Sequence, residues 1–71
     1  MVTRIRDLRE DADLSQSQVA RAVGITQRKY SYVETGVQPL TAELIVSLAR
    51  FYDVSTDYFL KLTDKRGRFP R

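Results

Sequence analysis

Apolar positions along the chain recur at intervals of three and four residues, and β-branched residues do not alternate with polar ones, so helical periodicity dominates throughout. Ile5, Leu8, Arg9 and Ala12 fall at i, i+3, i+4 and i+7, the spacing of a one-sided helix, which Asp13 ends in a left-handed conformation. Ser15 and Gln18 predict a capping box that starts a second helix, with Val19, Ala20 and Val23 as its buried stripe and Gly24 as its exit. Thr26 predicts the cap of a third helix running to about Thr35 and closed by Gly36, with Tyr30 and Val33 turned inward. Pro39 keeps Val37–Leu40 a loop. Thr41 then caps a fourth helix whose Leu44, Ile45, Leu48, Ala49 and either Phe51 or Tyr52 face the core. Ser55 caps a short fifth helix, with Asp57 in its first turn, ending near Leu62. The pattern predicts an all-α fold with one ordered domain over residues 1–63. The last eight residues, DKRGRFPR, have little to bury and read as a basic mobile tail, 64–71. Neither an internal repeat nor a low-complexity stretch is visible.

Two short helices joined by a tight turn at Gly24 make a helix-turn-helix arrangement. Ala20 is small enough to let the helices cross closely, Ile25 plugs the turn into the core, and Tyr30 and Val33 anchor the second of the pair. Its opposite face then presents Gln27, Arg28, Ser31 and Tyr32, with Lys29 at the flank. Arg and Gln side chains can bond base edges bidentately in a groove wide enough to admit a helix.

The segment LSQSQVARAVGITQRKYSYVETG, followed by a Pro-containing loop and LARFYDVSTDYFL, resembles the Xre family, the class of phage Cro and CI-type repressors. The likeness covers residues 4–62 and rests on Leu14-Ser15-Gln16, Ala20, Gly24-Ile25, Glu34 and Gly36. It implies a compact five-helix bundle of the lambda-repressor-like DNA-binding type, working as a sequence-specific double-stranded DNA-binding transcriptional regulator, with a repressor the expected kind. It also implies roles for particular residues. Gln27, Arg28 and Tyr32 would contact bases, while Gln16, Ser15, Lys29, Ser31, Thr35 and Gln38 would contact phosphates. Arg9 and Glu34 would form a structural ion pair, which agrees with the cost of leaving Arg9 alone on an apolar stripe. Three positions depart from the family pattern: Asp13 stands where glycine is common, Tyr30 where Ile or Val is commoner, and the loop Val37–Leu40 lacks the usual Lys or Arg.

Composition narrows the alternatives. The chain has 71 residues, enough for one domain, and a domain this small buries only about 60% of its unfolded surface. The net charge is +3, yet residues 1–60 hold seven Lys+Arg against eight Asp+Glu, so the excess sits in the tail and any DNA-binding face on the body depends on local clustering. No cysteine and no histidine are present, which removes disulfides, thiolate metal sites, the usual general base and the commonest metal ligand. No nucleophile–base pair or phosphate loop stands out, so an enzyme is the weakest reading, and neither a cofactor nor a metal is expected. Asp7, Glu10, Asp11 and Asp13 do not make a calcium loop, which needs Gly and Glu where this chain has Gln16 and Ala22. The N-terminus lacks the apolar stretch of a signal peptide, and no run spans a bilayer, so a cytoplasmic protein without a membrane partner is expected. One helix-turn-helix makes few contacts by itself. A homodimer is therefore expected, with two recognition helices about 34 Å apart on a double-stranded DNA operator. Tyr58, Phe59, Leu60 and Leu62 give the fifth helix more apolar surface than one short stripe requires, which points to self-association there. A DNA-binding antitoxin with a toxin partner, or a restriction-modification controller protein, would keep the same fold. A helical protein-interaction module is the reading from another class, and the near-neutral body favours it. Lys65, Arg66, Arg68 and Arg71 would either track phosphates or form a linker.

Overall fold

Hydroxyl side chains start four of the five helices in the computed structural model, which describes residues 2–70. The helices are α1 (Ile5–Asp11), α2 (Gln16–Val23), α3 (Gln27–Thr35), α4 (Ala42–Tyr52) and α5 (Thr56–Phe59), and no strand occurs among the described residues. Ser15, Thr26, Thr41 and Ser55 each accept a hydrogen bond from the backbone N–H three residues on. At α2 the cap is reciprocal, because the Gln18 side chain accepts from the Ser15 N–H at 2.8 Å. These bonds satisfy donors that the first helical turn leaves without partners.

The exits are as regular as the entries. Asp13, Gly24 and Asp53 follow α1, α2 and α4 with φ of +55°, +78° and +54°. Each is followed by an apolar residue (Leu14, Ile25, Val54) whose N–H returns to a carbonyl of the preceding helix, on Arg9, Ala20 and Ala49 respectively. The next residue is in each case the hydroxyl cap of the following helix. Three of the four helix–helix connections are thus the same device: a left-handed residue reverses the chain, an apolar one pins the bend inward, and a hydroxyl opens the next helix. Val54 is fully buried, and Leu14 and Ile25 pack on the core edge.

α2 packs against both α3 and α4, and α5 closes on α4. Ile5, Leu8, Val19, Ala20, Tyr30, Val33, Leu44, Leu48, Ala49, Val54 and Phe59 form one buried cluster. Arg4 fastens the two ends of the fold. Its N–H donates to the Phe59 carbonyl, its Nε donates to the Tyr58 carbonyl at 2.8 Å, and its guanidinium lies 4.2 Å from the centroid of the Tyr58 ring. At the end of α4 the inward position falls to Tyr52, while Phe51 is exposed.

Three expectations need correction. The fifth helix stops at Phe59 rather than near Leu62, because Lys61 turns left-handed (φ +61°) and the Leu62 N–H folds back onto the Asp57 carbonyl. Much of its apolar surface is also used inside the domain. Phe59 is fully buried and Tyr58 lies under Arg4, so the surplus offered for self-association shrinks largely to the exposed Leu62. The segment after residue 63, moreover, does have something to bury. Phe69 packs on the core beside Arg50, its N–H donates to the Asp53 carboxylate at 3.2 Å, and Arg68 pairs with the same carboxylate. The Ser55 N–H and hydroxyl both donate to the Arg66 carbonyl. Gly67 (φ +61°) makes this approach possible, since a Cβ there would lie 3.2 Å from the Ser55 hydroxyl. A single aromatic in a run of charges is what the reading of a polar tail overlooked. Arg71 lies outside the described residues.

The turn at Asp13 offers a direct stability test. An L-residue in the left-handed region is disfavoured by roughly 1–2 kcal/mol, partly offset here by the extra chain entropy that glycine loses on folding. Asp13→Gly is expected to raise stability by about 0.5–1 kcal/mol, read as a higher urea midpoint at unchanged slope.

Candidate nucleic-acid interface

The face presented by α3 is set from beneath. Tyr30 is fully buried and Val33 nearly so, which fixes the rotation of the helix and leaves Gln27, Arg28, Lys29 and Tyr32 exposed. Gln16 from the start of α2 joins Gln27, Arg28, Ser31 and Tyr32 around one shallow open groove. The Lys29 N–H is taken by the Thr26 cap, and its side chain is exposed. Among the described residues no ion pair engages Arg28 or Lys29, so both cations are available to an incoming anion.

The other sequence-predicted positions are engaged to different degrees. Ser15 accepts the Gln18 N–H and lies 3.3 Å from the Ser17 hydroxyl, so its oxygen already serves the helix cap. Thr35 donates its hydroxyl proton to the Ser31 carbonyl at 2.8 Å, which leaves it no donor for a phosphate in this conformation. Gln38 is exposed in the loop, where its N–H donates to the Tyr32 carbonyl at 3.1 Å. Gln16 is half-buried and donates from Nε2 to Glu34 at 3.4 Å.

Glu34 is the hub behind this surface. Its side chain is fully buried and its carboxylate accepts four hydrogen bonds from three side chains, with only the one from Gln16 longer than 3.3 Å. Arg9 is bidentate, donating from Nε to Oε2 at 2.9 Å and from Nη2 to Oε1 at 2.8 Å, and it also donates from Nη1 to the Leu14 carbonyl at 3.0 Å. Arg6 adds a bond from Nε to Oε1 at 3.2 Å. Burial alone would push the carboxyl pKa up, but the bonds from Arg9 and Arg6, with the Tyr30 hydroxyl close by, outweigh it and hold the group down at about 2. The Tyr30 hydroxyl, buried beside this charge, closes no hydrogen bond of good geometry, and burial followed by the neighbouring carboxylate drives its pKa upward. Tyr52 is similar: its hydroxyl is buried without a partner, and its pKa is pushed up to about 12, chiefly by burial. Sequence reasoning did not find Arg6 or Tyr52 in this cluster. Arg6 was legible only as a surface charge, although it lies one turn before Arg9 on the same helix.

The family model for a helix-turn-helix domain matches residues 1–59. The chain belongs to the helix-turn-helix domain family. Its α2–turn–α3 unit is of the Xre type that the motif spacing suggested. The domain is 41% identical over 61 residues to an uncharacterised HTH-type transcriptional regulator, YobD, of Bacillus subtilis (strain 168), a match covering 86% of this chain and 54% of the relative. It is 40% identical over 52 residues to the cryptic phage CTXphi transcriptional repressor RstR of Vibrio cholerae, covering 73% of this chain and 47% of that protein. The chain thus spans about half the length of these curated relatives. No solved structure matches it. Among the described residues of the helix-turn-helix domain, no helix is long and apolar enough to cross a membrane, and no group of three or more His, Cys, Asp or Glu side chains is arranged to hold a metal ion.

The depressed pKa of Glu34 makes the domain acid-sensitive. A carboxylate that titrates lower in the folded than in the unfolded chain stabilises the fold above its unfolded value, and that stability is lost as pH falls through the folded one. For Glu34 the window runs from 4.5 down to about 2, with roughly 3 kcal/mol at stake. A domain of this size has only about 4–11 kcal/mol in total. Glu34→Gln is expected to cost about 3 kcal/mol at pH 7 and to flatten the acid limb of the stability curve, as measured by urea titrations from pH 7 to pH 2.

Proposed function

We propose that this chain is the DNA-binding part of a transcriptional regulator, with α3 as the recognition helix in the major groove of double-stranded DNA. The observation that carries the reading is the groove lined by Gln16, Gln27, Arg28, Ser31 and Tyr32, presented by a helix whose opposite face is locked in the core. Arg28 lies in the first turn of α3, the part of a recognition helix that contacts base edges, and its fork of donors suits the two acceptors of a guanine. Gln27 and Tyr32 flank it as the other base-contacting residues. Gln16, Lys29, Ser31 and Gln38 are the phosphate contacts of this reading. Ser15 contributes through the α2 terminus it caps, and Thr35 through the loop backbone it precedes. The repressor similarity of the phage relative and the regulator similarity of the Bacillus protein support the same role. The working form is a homodimer in the cytoplasm that reads two half-sites about 34 Å apart, since one helix-turn-helix supplies few contacts.

Selection of bound sequences from a pool of random duplexes is the primary test, and recovery of no enriched sequence would overturn the proposal. On the selected duplex, Arg28→Ala is expected to lose about 1–3 kcal/mol and to relax preference at one base pair, whereas Gln16→Ala weakens selected and scrambled duplexes nearly alike. Titrations of both variants on both duplexes at fixed salt read the difference. Equal losses for Arg28→Ala on the two duplexes would make Arg28 a phosphate anchor instead.

A further inference from the structure

The Glu34 cluster holds more positive charge than it needs. One buried carboxylate meets two guanidiniums, so the group carries a net charge of +1. The two arginines are not equivalent. Arg9 is consumed: three of its nitrogens are bonded within the protein, and its side chain is only 17% exposed. Arg6 spends its Nε alone on Glu34 and leaves its side chain 56% exposed. A guanidinium has five N–H donors, so four remain on the two terminal nitrogens of Arg6. Arg6 and Gln16 both bond the same oxygen of Glu34, at 3.2 and 3.4 Å, so their bonding nitrogens lie no farther apart than the sum of those distances. Arg6 also shares a surface concavity with Thr35 and Gly36, the start of the loop that follows the recognition helix.

We propose that Arg6 is a preorganised phosphate-binding residue, held by Glu34 through its Nε so that its terminal nitrogens grip the DNA backbone next to Gln16. The inference rests on the DNA-binding reading above and adds to it a residue outside the helix-turn-helix. It also supplies the local clustering that the near-neutral body otherwise lacks. Anchoring by Glu34 lowers the side-chain entropy lost on contact, and the planar fork matches a phosphate in a way that a flexible ammonium does not.

The test is the salt dependence of binding of the whole chain to a duplex selected by the wild type and to a scrambled duplex, between 50 and 200 mM salt. Each neutralised phosphate contributes about 0.9 to the slope of log affinity against log salt. Arg6→Gln is expected to lower that slope by about 0.9 on both duplexes, so that its loss of affinity across the range is about 3.5-fold smaller than the wild type's. Arg6→Lys keeps the slope but binds more weakly at low salt. As a check on the unaltered chain, the side-chain NMR signals of Arg6 should shift on addition of either duplex. A wild type that binds no duplex would overturn the DNA-binding reading itself. A wild type that binds, with an Arg6→Gln slope unchanged or Arg6 signals unmoved, would overturn this inference alone and leave Arg6 as a neutraliser of Glu34.

Discussion

A buried carboxylate in a domain of this size is a liability unless its charge is fully met, and the arrangement around Glu34 follows from that requirement. The end of α3 delivers the carboxylate, α1 supplies both arginines, and the start of α2 adds the Gln16 amide. Arg9 reaches the turn between α1 and α2 as well, through the Leu14 carbonyl. One charged group thereby ties three helices and a turn into a fixed geometry, and its directional bonds specify a register that apolar contacts alone would leave looser. The outer face of α3 inherits this rigidity, because the end of α3 and the Gln16 amide are held by the same carboxylate.

Around that hub the chain reuses one connection. Asp13-Leu14-Ser15, Gly24-Ile25-Thr26 and Asp53-Val54-Ser55 each reverse the chain with a left-handed residue, bury or half-bury an apolar one and open the next helix with a hydroxyl. With Ala12 added in the first of them, these connections run to three or four residues and leave little slack. The connection from α3 to α4 differs. It begins with the left-handed Gly36 and continues through an exposed Val37, Gln38 and Pro39 before Thr41 restarts the helix. This longer connection is the one that leaves α3.

Much of this was written plainly in the chain. The hydroxyl caps, the left-handed Asp13 and Gly24, and the inward positions of Tyr30 and Val33 follow from local rules acting within one turn of helix. The third copy of the turn, Asp53-Val54-Ser55, is equally local, although the sequence reading assigned a left-handed exit to Asp13 and not to Asp53. What could not be read was long-range. Arg4 reaches residues more than fifty positions away. Phe69 docks on Arg50 and Asp53 from a stretch that looks too charged to fold back. On the outer face of α3, residue types and helix spacing indicated which side chains face outward, but not that Thr35 would spend its proton on its own helix or that Arg6 would join Arg9 on Glu34. Those outcomes depend on competition between partners, and a linear pattern does not record it.

The four tyrosines, in a chain without tryptophan, divide by environment. Tyr30 and Tyr52 have buried hydroxyls with no partner, next to the Arg9–Glu34 charges, while Tyr32 stands exposed on the groove and Tyr58 lies beneath a guanidinium. Tyrosine therefore dominates the near-ultraviolet absorption and emission, with three phenylalanines adding only weak absorption. The buried pair reports on the integrity of the interior, and Tyr32 reports on whatever occupies the outer face. Loss of the folded interior changes the surroundings of Tyr30 and Tyr52, whereas a ligand on the groove changes those of Tyr32, so both events fall on a fluorophore the chain already carries.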